Sequence, residues 1–216
     1  MPTDRGIERL IRCIAGLACF GLGISMFITA ELGLAPWDVF HQGVSEHVGI
    51  GIGLVIQIAS FAVLLLWIPL RQRVGVGTIL NAIEIGLMVS LVGNHLPSTD
   101  QLVPRVLYVF GGLLIVGLGS GLYIGAGLGT GPRDGLMVGV AARGISVHVA
   151  RTAIEAMVLV AGLLLGGSIG FGTVAFTLGI GPLVHQTIPR LAMHPAAAQQ
   201  TGRPQRRVTS PGPPRS

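Results

Sequence analysis

Ionisable side chains are scarce in this chain, and several fall inside long apolar runs. Placing them there is costly, so a functional use is the default expectation. Glu84 lies near the middle of the run 74–92, and Thr78, Asn81 and Glu84 follow one another at three-residue spacing. A helix would present all three on one broad face. Such a carboxyl can carry a proton or ligate a cation; as a structural group it would instead sit neutral, hydrogen-bonded to Asn81 or to another helix. A second set, His148, Arg151, Thr152 and Glu155, falls within about 100° of arc on a helix predicted for 147–165. Arg151 and Glu155 stand at i, i+4 and are expected to pair. The same face continues through Leu159 to Gly162 and Gly166, a small-xxx-small pattern that favours close helix packing. The stripe is therefore expected to face a helix bundle, where structural pairing is preferred over contact with a solute. Asn81, Glu84, His148, Arg151 and Glu155 are the candidates for a solute or ion pathway. Glu31, Gln57 and His185, singly placed or near span ends, are weaker ones.

A third set is a turn that occurs twice, Glu31-Leu-Gly-Leu-Ala-Pro-Trp-Asp38 and Gly127-Leu-Gly-Thr-Gly-Pro-Arg-Asp134. Glycine admits backbone conformations that other residues resist, proline presets a first helical turn, and aspartate near a helix start can cap free amides. Pro36, Asp38, Pro132 and Asp134 thus open two short helices. The free helix ends would attract an anion, but the two aspartates oppose that, so the structural role is favoured.

No catalytic constellation emerges, and no enzyme activity or cofactor is expected. Gly166-Gly-Ser-Ile-Gly170 matches the letters of the Gly-x-Ser-x-Gly nucleophile elbow, but that motif needs a strand before it and a helix after it; here a tight turn between two spans is expected. No paired metal-ligand motif is present, so no metal is expected. The glycine strings lack a Walker lysine and a preceding strand, which excludes a nucleotide site. Cys13 and Cys19 lie roughly 120° apart around a helix and are read as inert buried thiols.

The elements that must position these residues are set by composition. With 50% hydrophobic and 11% charged residues and a mean hydropathy of +0.74, the chain falls far from the roughly 25% charge of a soluble domain. It reads as a membrane protein. The basic pI, near 10.6, comes from 14 arginines and no lysine; these sit between apolar runs rather than on one face, which argues against nucleic-acid binding. Apolar runs are expected to cross the bilayer at about 13–30, 50–70, 74–92, 106–128, 147–165 and 169–188. The first is too long for the core of a secretory signal. Two weaker stretches, 34–48 and 129–144, read as short amphipathic or re-entrant helices. The tail, 191–216, is rich in Pro, Arg, Gln and Ser and is expected to be disordered.

The halves repeat one design. A shift of 96 residues lays Gly21 on Gly117, Gly23 on Gly119, Ala30 on Ala126, Gly33 on Gly129, Pro36 on Pro132, Asp38 on Asp134 and Gly43 on Gly139. After a slip of one, Gly49-Ile50 falls on Gly144-Ile145, Gly75 on Gly170, Gly77-Thr78 on Gly172-Thr173 and Ile85-Gly86 on Ile180-Gly181. The organisation expected is a first membrane repeat, 1–92, an external loop, 93–105, a second repeat, 106–190, and the tail. Arginine placement puts both termini in the cytoplasm and leaves only Arg105 outside. Each half then has three spans, an odd number, so the second is inverted, and the two proline-aspartate turns lie at opposite membrane faces. The fold expected is all-α, with about six transmembrane helices in two inverted-topology three-helix repeats, each with a short helix after its first span.

Three segments, Leu34-Ala-Pro-Trp-Asp-Val-Phe-His-Gln-Gly43, Gly127-Leu-Gly-Thr-Gly-Pro-Arg-Asp-Gly135 and Gly75-Val-Gly-Thr-Ile-Leu-Asn81, resemble the YczE/YyaS/YitT-type bacterial integral membrane proteins. The resemblance covers nearly the whole chain except the tail. It implies a polytopic plasma-membrane protein and brings no catalytic or ligand residues with it. Inverted repeats are the architecture of many secondary transporters, so a transporter or permease for a small solute is the leading expectation. The alternative is a membrane-embedded accessory or regulatory protein that binds a protein partner, or its own copies, through glycine-lined faces.

Overall fold

The computed structural model describes residues 5–193. The expected disordered tail lies outside the described residues, apart from 191–193. Among the described residues the chain is all-helical: α1 (Gly6–Ala30), α2 (Pro36–Val48), α3 (Ile52–Leu70), α4 (Val76–Val92), α5 (Leu102–Gly125), α6 (Pro132–Ala141), α7 (Val147–Leu164) and α8 (Phe171–Leu191), with one 3₁₀ turn, Gly93–His95, after α4. Five are long and apolar enough to cross a membrane: α1, α3, α4 with its 3₁₀ extension, α5 and α7. The remaining long helix, α8, has 21 residues but carries Pro182, His185, Gln186 and Pro189 in its C-terminal half, and it is less apolar than the sixth span expected at 169–188. Large apolar side chains such as Leu65, Ile68, Leu114, Leu164 and Leu178 are exposed on the outside of the bundle, where hydrocarbon rather than water suits them.

Local chemistry sets the helix ends. Pro36 and Pro132 each occupy the first turn, after an extended Ala35 or Gly131, as the residue before proline prefers. The Thr78 hydroxyl accepts the Gly75 N–H at 3.2 Å, and the Thr173 hydroxyl accepts the Gly170 N–H at 3.2 Å. These two bonds open α4 and α8 in the same way. Ser146 caps α7 by accepting the Val149 N–H at 3.2 Å.

Long-range packing crosses between the halves. The helices α1 and α5 run antiparallel past each other, Gly16 against Gly119 and Gly23 against Gly112. Added side chains would collide there: a Cβ on Gly16 would lie 2.6 Å from the Tyr123 nitrogen, and one on Gly23 2.8 Å from the Gly112 oxygen. Small residues thus allow backbones to approach closely without a hydrophobic driving force in lipid. Around this pair, α4 packs on α1 and α8 on α5, while α2 reaches over to α7 and α6 to α3.

The polar contacts are equally reciprocal. Arg9 donates to the Ala126 carbonyl at 2.7 Å, and Arg105 donates through Nε to the Ala30 carbonyl at 2.6 Å. Each arginine satisfies a carbonyl at the end of the other half's first helix, where intrahelical partners run out. The Gly77 N–H donates to Leu128 O at 2.9 Å and the Gly172 N–H to Leu32 O at 2.7 Å. Beside these bonds, Gly33 (φ +102°) and Gly129 (φ +131°) sit in left-handed backbone conformations against the other half, Gly33 on Gly170 and Thr173, Gly129 on Gly75 and Thr78. Both the φ and the space require glycine.

Candidate functional site

The two short helices begin at one place. The N-terminal turns of α2 and α6 both line a cavity of about 470 Å³ between the halves, which also draws on α1, α3, α4, α5, α7 and α8. A volume of that size lies in the range of small-ligand sites. From arginine placement the two turns are expected at opposite faces, yet the Arg133 guanidinium lies 3.5 Å from Asp38 Oδ1. The turns meet because the loop before each short helix carries the chain into the bundle; the helix then runs back out, α2 along α7 to an exposed Val48 and α6 along α3. Loops at opposite ends therefore deliver helix starts to a common centre.

A polar cluster occupies that centre. Asp38 and His41, one helical turn apart, are both buried, with His41 Nδ1 3.2 Å from Asp38 Oδ1. Arg133 Nη2 lies 3.5 Å from each of them, and its guanidinium carbon is 5.2 Å from the centre of the Trp37 ring, a cation–π distance. The Asp38 carboxylate is thus compensated from both halves. Tyr123 of α5 donates to Asp134 Oδ2 at 3.2 Å. Trp67 of α3 donates through its indole N–H to the Pro132 carbonyl at 3.0 Å and so fixes the start of α6. The Trp37 indole nitrogen is buried without a hydrogen-bond partner among the described residues, although burying such a donor unpaired costs about 1–3 kcal/mol.

Of the residues expected in a pathway, the structure brings three to the cavity. Asn81 lines it from α4, beside Gly131, and Arg151 and Glu155 line it from α7, paired at 2.9 Å. Glu84 is not among the lining residues: Asn81 and Ile85 turn to the cavity, and Glu84 lies off that side of α4. His148 is exposed at the start of α7, away from the cavity. The weaker candidate His185 does line the wall, from α8; Glu31 instead pairs with Arg105 at 3.4 Å, and Gln57 donates to the Ile83 carbonyl at 2.7 Å. Pro36, Asp38 and Asp134 line the cavity, a place their reading as simple helix starters does not supply. Trp37, His41, Tyr123 and Arg133 were missed as site residues. The i, i+3 spacing of Asp38 and His41 was the available signal.

Ser168, the serine of the Gly-x-Ser-x-Gly match, sits in the turn between α7 and α8. Its hydroxyl and its N–H both donate to Gln42 Oε1, at 2.8 and 2.9 Å. Its hydrogen bonds join the turn to α2.

Apart from Ser60 and Ser120, the remaining walls are apolar, including Phe20, Ile24, Met137, Phe176 and Val184. The arrangement can hold a compact molecule with an apolar body against these walls and a polar end at the Asp38–Arg133 cluster.

Comparison with known proteins gives the chain its relatives. Residues 7–189 match the model of a family of unknown function, DUF6198. The chain is 40% identical to an uncharacterized protein of Haemophilus influenzae over 169 residues, 78% of each chain. It is 32% identical to an uncharacterized membrane protein of Bacillus subtilis, YczE, over 179 residues, 82% of this chain and 83% of YczE. It is 27% identical to YyaS of the same organism over 187 residues, 83% of this chain and 92% of YyaS. The resemblance carried by the Pro-Trp-Asp-Val and Gly-Thr-Gly-Pro-Arg-Asp segments thus agrees with the comparisons. No solved structure gives a significant match.

Proposed function

We propose that this chain, which belongs to the DUF6198 family and is a multi-pass membrane protein, is a transporter or permease for a small solute that binds in the cavity between its halves. One observation carries the reading: a short helix from each half starts at the same central cavity, and the two starts are joined by Arg133 and Asp38. Secondary transporters built from inverted repeats bind substrates in this way, at the repeat interface and against the ends of interrupted helices. The apolar walls and the paired acids and bases suit a compact amphipathic solute. No catalytic step is assigned.

Inverted topology belongs to the same proposal. Its support is the reciprocity of Arg9–Ala126 with Arg105–Ala30, and of Gly77–Leu128 with Gly172–Leu32. At 1.5 Å per residue, α8 is long enough for a sixth span, and it packs on α5 as α4 packs on α1. Both termini are then cytoplasmic, and the membrane is the bacterial plasma membrane.

The test is a thermal-stabilisation screen of the purified protein against small amphipathic solutes. A ligand present at 100 times its Kd adds about 2.7 kcal/mol of apparent stability. A hit should then cross the membrane of vesicles holding the protein. Hits that bind without flux, or a co-purifying protein in place of a solute, would favour the accessory reading.

A further inference from the structure

The repeat provides an internal comparison at every position, and one pair of equivalent seams does not match. In the first half, α3 packs on α4 through Gly53 and Gly86, both buried; a Cβ on Gly86 would run into the Gly53 oxygen and the Gln57 side chain. A shift of 95 residues carries Gly53, Gln57 and Gly86 onto His148, Thr152 and Gly181 of α7 and α8. All three of these are exposed. A Cβ on Gly181 would meet nothing within 4 Å, and among the described residues α7 and α8 form no packed interface like that of α3 and α4.

The cavity follows the same asymmetry. Ile56 and Ser60, both buried, wall it on the α3 side, and the shift lays them on Arg151 and Glu155 of α7. The Arg151 side chain is 50% exposed. The cavity is therefore sealed by small and apolar groups at α3–α4, and it opens between α7 and α8 through a charged mouth to which His185 contributes. Gly181 has no neighbour to accommodate in this state, yet glycine inside a helix costs about 1 kcal/mol relative to alanine. A state in which α7 lies on Gly181 gives the missing side chain a use. The Arg151–Glu155 pair can be covered in that state without leaving a lone charge.

We propose that the α3–α4 seam and the α7–α8 opening are the closed and open states of one gate present twice, and that the protein works by exchanging them. On the transport reading, on which this clause rests, the solute reaches the cavity between α7 and α8 in one state and between α3 and α4 in the other.

The test uses the full chain in vesicles, with Cys13→Ala and Cys19→Ala as background and the pair Thr152→Cys and Gly181→Cys introduced. Both positions are exposed here, so the substitutions do not threaten folding. If α7 closes on α8 as α3 does on α4, the new Cβ atoms come within the roughly 3.5–4.5 Å that a disulfide needs. Mild oxidation should then cross-link most molecules within one chain. A second variant addresses the other seam: Gly86→Ala should speed maleimide labelling of Ile56→Cys at least about tenfold, a difference of 1.4 kcal/mol in the opening equilibrium. Gly181→Ala, which meets nothing in the present state but opposes the one in which α7 lies on Gly181, should instead slow that labelling. Absence of an intrachain cross-link over hours, or a cross-link between two chains, would overturn the proposal, since the opening would then be fixed or a subunit interface. Solute flux that persists through the cross-link would also overturn it while leaving transport intact. A cross-link in a protein for which no solute flux is found would uphold the gate and remove the transport reading.

Discussion

Arg133 lies with its guanidinium carbon 5.2 Å from the centre of the Trp37 ring, although the two residues hold the same position in successive copies of one motif, each between a proline and an aspartate. Equivalent residues of a repeat touch only near the axis that relates the copies. The cation and the aromatic face are complementary, so the two copies differ at the position where identical side chains would gain less. Breaking the same cluster has a definite expected cost. Arg133→Gln leaves the buried Asp38 carboxylate with His41 alone, and a buried acceptor deprived of a partner costs about 1–3 kcal/mol. Asp38→Asn added to Arg133→Gln should recover at least half of that loss. Thermal unfolding of the single and double variants in detergent measures both, and additive losses would contradict the pairing.

The reciprocal arginines should differ in weight. Hydrogen bonds from a charged donor contribute about 1.5–3 kcal/mol. Arg9 is 3% exposed, whereas the Arg105 side chain is 22% exposed. Arg9→Ala is therefore expected to lower stability more than Arg105→Ala, and equal losses by thermal unfolding would contradict the ordering.

Glycines of the repeated turn can be ranked against a control. Gly33→Ala and Gly129→Ala each combine a left-handed backbone, about 1–2 kcal/mol for an L-residue, with a Cβ pressed into the other half. Gly49→Ala has the same backbone problem (φ +76°) but meets nothing within 4 Å. The first two should cost clearly more than the third in the same unfolding assay.

Binding should discriminate between acids that line the cavity and the one that does not. With a stabilising solute in hand, Asp134→Asn and Glu155→Gln are expected to weaken its binding by about tenfold or more, equal to 1.4 kcal/mol. Glu84→Gln should change it by less than about twofold. A titration of thermal shift against solute concentration reads all three, and a large loss at Glu84 would return that residue to the pathway.

Much of the fold was legible because its signals are local. The prolines of the repeated motif marked the starts of α2 and α6, and the i, i+4 spacing of Arg151 and Glu155 foretold their pair. Helix starts were hidden wherever charge interrupts the apolar run. Helix α1 begins at Gly6 rather than near Cys13, because Arg9 is absorbed by the Ala126 carbonyl and Arg12 pairs with Glu8 at 3.1 Å. Helix α5 likewise begins at Leu102, with Arg105 turned back to Ala30. The candidate site was least legible, since Asp38 and Arg133 are 95 residues apart. Their meeting depends on how the loops before α2 and α6 carry the chain into the bundle, which no periodicity encodes.

The exchange of Arg9 and Arg105 also bears on how the chain is made. Ala30 receives its side-chain partner from a residue 75 positions later. At a synthesis rate of about 5–20 residues per second, the ribosome delivers Arg105 roughly 4–15 s after Ala30. Until then that carbonyl has no arginine, and Leu32 still awaits the Gly172 amide. The first half thus spends its early life in the membrane as an unfinished template, and its last contacts form only as the second half is laid down against it.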